Sequence, residues 1–93
     1  MPESMLAPEL VALAQRVVDE NRRRGRTFSL AESCTGGLVS AAITEIPGSS
    51  EVFEAGFVTY SNDMKMTLLK VSLDVLETFG AVSIATAWAM AQG

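Results

Sequence analysis

The sequence contains no histidine, and this absence excludes several common active sites. A Ser-His-Asp triad and a Cys-His pair both use an imidazole as the base, so neither can be assembled from these 93 residues. A zinc site without histidine and with one cysteine would need mostly carboxylates, an unusual ligand set, and we expect no metal. Any general base must be a lysine, tyrosine, aspartate or glutamate, and the two lysines are Lys65 and Lys70.

Disulfides, membrane spans and excess positive charge are missing as well. The single cysteine, Cys34, excludes an internal disulfide framework and fits a reducing compartment, so we expect a cytoplasmic protein. No apolar run approaches the roughly 20 residues of a membrane span, and the first residues lack the basic region of a secretory signal. We therefore expect no membrane association. The net charge of -4 argues against nucleic-acid binding, which needs a basic face.

What is present is a hydrophobic share of 48%, which predicts one folded domain over residues 1–93. Strands are predicted over 27–31 and 56–60, and helices over 38–46, 63–69, 73–79 and 84–92, with Asn62, Ser72 and Ser83 as N-caps. Pro8 opens an earlier helix that ends near Gly25. Its predicted buried stripe is Leu10, Leu13, Ala14, Val17 and Val18, and its end carries four solvated arginines, Arg22, Arg23, Arg24 and Arg26.

Residues 47–50 are predicted to form a turn and 51–55 a short helical turn. We expect Phe79, Trp88 and Met90 to lie in the core. Strands that alternate with helices predict an α/β fold with parallel strand pairing.

Polar residues follow both predicted strands. The first strand leads into Glu32, Ser33, Cys34, Thr35, Gly36 and Gly37. The second ends in Thr59, Tyr60, Ser61 and Asn62, with Lys65 one helical turn later. Because ligands of α/β sheets bind beyond the carboxyl ends of the strands, we expect Ser33, Tyr60 and Lys65 to lie within reach of each other.

The residues from Ser33 to Gly37, which we call the serine turn, have two interpretations. Ser33 is a nucleophile raised on a strand-to-helix turn, where the amides of Thr35 to Gly37 favour an oxyanion or a phosphate. Alternatively, Ser33 or Thr35 is a helix N-cap, which this segment alone favours. Cys34 competes with Ser33 as the nucleophile, although a lone cysteine is more often a small buried hydrophobe.

Lys65 also has two interpretations. In the first turn of its helix the dipole disfavours its charge, which suits a general base, whereas Asp63 acts in the opposite direction. The common alternative is a solvated surface lysine. Tyr60 relays a proton, binds substrate or packs with its hydroxyl at the rim. Lys70, at the end of the same helix, is expected to be structural.

Four motifs, in this order and spacing, identify a family: AESCTGG, PGSS, YSN-x-x-K and GAVS. Together they resemble the C-terminal domain family of the competence/damage-inducible protein CinA, whose members are nicotinamide-nucleotide amidohydrolases (NMN deamidases, PncC). The resemblance implies a three-layer α/β/α fold with a mixed, mostly parallel sheet. It also implies hydrolysis of the carboxamide of nicotinamide mononucleotide (NMN) to nicotinate mononucleotide and ammonia, without metal or cofactor.

Carried onto matching positions, the resemblance implies that Ser33 is the nucleophile, Lys65 its base and Tyr60 an assisting group. The residues around them are assigned to substrate binding: Cys34, Thr35, Gly36, Gly37, Ser61 and Asn62. The expected partners are the small-molecule substrate and further copies of the chain. The alternative function is a non-catalytic module that binds a nucleotide or a protein.

Two departures from the family stand out. The family continues well beyond Gly93, with a further Gly-rich substrate loop, so we expect these residues to hold only part of the domain. Ile84 and Ala85 also stand where relatives usually carry acidic residues.

Overall fold

The structure is a computed structural model that describes residues 4–93. In chain order the elements are α1 (Pro8–Arg23), β1 (Phe28–Glu32), α2 (Leu38–Thr44), a 3-10 turn (Ser49–Glu51), β2 (Phe53–Val58), α3 (Asn62–Leu69), α4 (Leu73–Phe79) and α5 (Ile84–Gln92). Within residues 4–93, no helix has the length and apolar character needed to cross a membrane.

The two strands pair in parallel, which confirms the predicted α/β class. The Phe28 N–H donates to the carbonyl of Val52, and the Thr59 N–H donates to the carbonyl of Glu32, both at 2.8 Å. The register therefore advances along both strands in the same direction. Over the described residues, the sheet consists of β1 and β2.

The second strand begins earlier than predicted. The sequence predicted a helical turn over 51–55 and a strand over 56–60, whereas β2 starts at Phe53 and the 3-10 turn lies before it. The Phe53 ring packs against that of Phe28 on β1, with 5.5 Å between ring centroids. This contact joins residues far apart in sequence, so burial overrode the local pattern.

The chain divides into two compact units, the first of which runs up to Leu30 and resumes over Gly37–Gly56. Here α1 packs against α2, over a core of Ala14, Val18, Ala42, Ile43, Ile46 and Val52. The predicted stripe of α1 was too wide, because Leu13 and Val17 are 54% and 41% exposed. Each precedes a buried residue by one position, which turns it about 100° away from the core.

The boundaries of the first unit follow local rules. Gly25, at φ +63°, follows α1 in the left-handed conformation, which confirms the predicted stop. Helix α2 ends at Thr44, two residues earlier than predicted, since Pro47 disfavours helical geometry in the residue before it. Arg22 is not simply solvated, because its guanidinium donates to the Glu51 carboxylate at 2.7 Å and the Gly48 carbonyl at 3.1 Å.

The second unit comprises Ala31–Gly36 and Phe57–Gly93. Its core contains Leu69, Val71, Leu76 and Met90. The hydroxyls of Ser72 and Ser83 accept from the N–H groups of Val75 and Thr86, so both predicted caps are confirmed. The third predicted cap was wrong, because Ser61 rather than Asn62 caps α3.

The expected core position is correct for Met90 and wrong for Phe79 and Trp88, which are largely exposed. In α5 the buried residues are Thr86 and Met90, four positions apart on one face. Trp88 lies midway between them in sequence and therefore points to the opposite side of the helix.

Candidate functional site

The residues that follow β1 and β2 are brought together in the second unit. The bond from the Thr59 N–H to the Glu32 carbonyl pairs the last residue of β1 with the residue after β2. Ser33 follows Glu32 directly, and Tyr60 follows Thr59 directly. They therefore leave neighbouring strands, whose backbones lie about 4.8 Å apart in a sheet.

Ser33 opens a tight turn. The Gly36 N–H donates to the Ser33 carbonyl at 2.9 Å. Gly36 has φ +61°, a left-handed conformation that glycine adopts at little cost. Ser33 is half-buried and the three following residues are exposed, including Cys34 with its thiol. The predicted burial of a lone cysteine is therefore wrong.

The helix-cap interpretation of Ser33 and Thr35 is also wrong. Helix α2 begins at Leu38, and the residue at its N-cap position is Gly37, which belongs to the first unit. Within the part of the chain that the structure describes, the Ser33 hydroxyl has no hydrogen-bond partner. A half-buried hydroxyl that caps nothing remains available for chemistry.

The carboxylate of Glu32 is a feature that sequence reasoning did not select. Glu32 is 5% exposed, and its Oε1 accepts from the Thr35 hydroxyl at 2.8 Å. Thr35, predicted to bind substrate, thus uses its hydroxyl inside the turn. The available signal was an acidic residue directly between an apolar strand and a serine, a position that calls for a buried partner.

Lys65 is buried to 1% exposure, the largest fully buried side chain of residues 4–93. This overturns the alternative of a solvated surface lysine. Its Nζ donates to the Tyr60 carbonyl at 3.1 Å, and its backbone N–H donates to the Ser61 carbonyl at 3.1 Å. Among the described residues, no carboxylate forms an ion pair with this amine, and no hydrogen bond joins it to Ser33 Oγ.

The remaining predicted residues lie within five positions of Lys65 in the sequence. The Tyr60 side chain is exposed, at 73% for the residue. The Ser61 hydroxyl accepts from the Met64 N–H at 3.1 Å, so it serves the cap of α3. Asn62 is exposed as the first residue of that helix. Lys70 follows the helix in the left-handed conformation, at φ +57°, and is exposed, as a structural lysine would be.

Thr59 is a second residue at a strand end to which the sequence assigned no role. It has 0% exposure, and its Oγ1 has no hydrogen-bond partner among the described residues. The strand end thus holds a buried hydroxyl, a buried amine and an unpartnered serine. Over residues 4–93, no group of three or more aspartate, glutamate or cysteine side chains is placed to hold a metal ion.

Comparisons with known proteins agree with one another. A family model described as the CinA C-terminal domain matches residues 10–93. A CinA-like protein of Endomicrobium trichonymphae is 52% identical over 84 residues, covering 90% of this chain and 19% of that protein. A CinA-like protein of Syntrophotalea carbinolica is 49% identical, covering 96% of this chain and 23% of that protein.

Among solved structures, the competence/damage inducible protein CihA from Agrobacterium tumefaciens is similar, with a TM-score of 0.92 and 48% sequence identity. The match covers 98% of this chain and 55% of that chain. The chain thus spans about a fifth of the length of these curated relatives and about half of that solved chain.

Proposed function

Because the chain belongs to the CinA C-terminal domain family, we propose that it supplies the catalytic residues of an amidohydrolase that converts NMN to nicotinate mononucleotide and ammonia. The observation that carries this proposal is the buried amine of Lys65, bonded to the backbone beside the strand end that bears Ser33. These 93 residues contain no histidine, so few of their other side chains can act as the base for a serine nucleophile.

Ser33 Oγ attacks the carboxamide carbon and forms a C–O bond, while the carbonyl electron pair moves onto oxygen. Lys65 begins as a neutral amine and takes the hydroxyl proton, as an activating base does for other nucleophiles. The Lys65 side chain is buried, and among the described residues its Nζ bonds to the Tyr60 carbonyl rather than to a carboxylate. The exposed Tyr60 side chain assists at the mouth of the site.

The second half of the cycle returns the proton. The protonated Lys65 donates it to the carboxamide nitrogen, the C–N bond breaks and ammonia leaves. The product on the enzyme is an ester of Ser33. Water then attacks this ester with Lys65 again as the base, which releases nicotinate mononucleotide and restores the serine hydroxyl.

The oxyanion is held by backbone amides of the serine turn. The Gly36 N–H already donates to the Ser33 carbonyl, so the Thr35 N–H is the amide of this turn that we assign to the oxyanion. The same group cannot also hold the 5′-phosphate, which therefore binds elsewhere. Cys34 and Asn62 are both exposed, and we propose that they contact the substrate.

The test is ammonia release from NMN by the full-length protein beside its Ser33→Ala and Cys34→Ala variants. Loss of a serine nucleophile lowers kcat by several orders of magnitude, about 10⁶-fold in a well-studied serine hydrolase. We expect such a loss for Ser33→Ala with the fold intact, and most of the activity for Cys34→Ala.

Two outcomes would contradict the proposal. An inactive Cys34→Ala beside an active Ser33→Ala would make the thiol the nucleophile. A wild-type protein that binds NMN without releasing ammonia would indicate a binding module instead.

A further inference from the structure

We propose that Glu32 and Thr35 are positioning residues, whose side-chain hydrogen bond holds the turn that aims Ser33 at its substrate. Only the expected effect on catalysis rests on the proposed function. The bond itself joins Thr35 Oγ1 to Glu32 Oε1 at 2.8 Å, within the second unit.

The position of Glu32 is restrained through both its backbone and its side chain. Its backbone carbonyl accepts from the Thr59 N–H at 2.8 Å, which ties this residue to the end of β2. Its side chain is 5% exposed. A carboxylate that accepts from a hydroxyl makes a charge-assisted hydrogen bond, stronger than one between neutral groups.

The turn needs such a restraint. Cys34, Thr35 and Gly36 are all exposed, and the backbone bond from Gly36 to Ser33 competes with water. The side-chain bond spans residues 32–35, and the backbone bond spans residues 33–36. Ser33 lies within both spans, so the two bonds together restrain its position. Since the Ser33 hydroxyl has no partner of its own among the described residues, the position of Oγ follows the turn.

This assignment differs from substrate binding by Thr35, and the two make opposite kinetic predictions. A hydroxyl that contacts the substrate equally before and during reaction affects KM when removed. A hydroxyl that aims the nucleophile affects kcat, because misplacement by about 1 Å costs about 100-fold in rate.

The experiment compares Thr35→Val, which keeps the shape and loses the hydroxyl, with Thr35→Ser, which keeps the hydroxyl. Thr44→Val is the matched control, since Thr44 donates a similar bond to the Ala41 carbonyl at 3.0 Å in the first unit. The readouts are hydrogen exchange of the Gly36 amide by NMR in the full-length protein, and kcat and KM for NMN. Glu32 is left unchanged because loss of a buried carboxylate perturbs its surroundings.

For Thr35→Val we expect Gly36 exchange to be about 10-fold faster, as loss of one good hydrogen bond implies. We expect kcat to fall about 10- to 100-fold with KM within about twofold. Thr35→Ser is expected to restore both quantities to within about threefold, and Thr44→Val to change neither.

Unchanged Gly36 exchange in Thr35→Val would overturn the inference, as would a raised KM with an unchanged kcat. If the wild-type protein releases no ammonia, the proposed function fails. The exchange rates of the two Thr35 variants then still decide whether the bond holds the turn.

Discussion

Replacing Lys65 by methionine separates the stability of the second unit from its chemistry. Methionine has a similar unbranched stem and no charge, so it can fill the space of a side chain that is 1% exposed. The variant loses the bond from Nζ to the Tyr60 carbonyl, a contribution of about 0.5–1.5 kcal/mol. It also avoids burying an amine, at a cost of about 1–3 kcal/mol for a polar group.

These two effects oppose each other, and at their mid-values of about 1 and about 2 kcal/mol they leave Lys65→Met about 1 kcal/mol more stable than the wild type. For a domain of about 60–100 residues that is a Tm rise of about 4–8 °C. Loss of a general base should lower kcat for NMN by about 10²- to 10⁴-fold. Thermal unfolding and ammonia release on the same samples check both expectations.

Lys65→Arg tests the base more sharply, because a guanidinium stays protonated at any working pH. We expect it to be inactive and also destabilised by about 1–3 kcal/mol, since the larger group overpacks the site. Lys70→Met is the control, as Lys70 is exposed at the end of the same helix, and it should keep wild-type kcat. A fully active Lys65→Arg would show that the site needs only a positive charge, and the base role would be refuted.

Three further predictions concern stability. Thr59→Val removes a buried hydroxyl that has no partner among the described residues. Urea titrations should therefore show a free energy of unfolding about 1 kcal/mol higher than that of the wild type. A lower free energy of unfolding would show that the hydroxyl makes an essential hydrogen bond. Lys70→Gly relieves the left-handed conformation at φ +57° and should add about 0.5–1 kcal/mol; an unchanged urea midpoint would contradict this. Hydrogen bonds from Arg23 and then Arg24 hold the pKa of Glu20 below its usual value. The Glu20 carboxylate therefore contributes to stability above its pKa in the unfolded chain, and this contribution is lost as pH falls through its pKa in the folded protein. Glu20→Gln should therefore be less stable than wild type at pH 7 and equally stable in strong acid, and a difference that persists in acid would argue against the ion pairs as its cause.

The parts of the fold that depend on local rules were predictable from the sequence. The Ser72 and Ser83 caps and the stop at Gly25 depend on hydrogen bonds and dihedral angles within a few residues. The start of β2 was not predictable, because the Phe53–Phe28 contact links two distant segments. The exposure of Trp88 likewise depends on which face of α5 meets a neighbour.

The candidate site divides in the same way. Ser33 and Lys65 were selected by residue type and by elimination of histidine, and the structure places both in the second unit. Their assigned roles remain predictions. Glu32 and Thr59 were placed at the strand ends but given no role, because only tertiary packing buries them, and a glutamate or threonine beside a turn is usually solvated.

The central claim is that Ser33 forms an ester with the substrate, and mass spectrometry of the quenched reaction tests it most directly. The full-length protein is mixed with NMN, stopped in acid within the first turnovers and digested. We predict a peptide that carries the mass of NMN less ammonia, with fragmentation that maps the addition to Ser33, and no such peptide from Ser33→Ala. Ammonia released at full rate with the addition on Cys34, or from Ser33→Ala itself, would contradict the account.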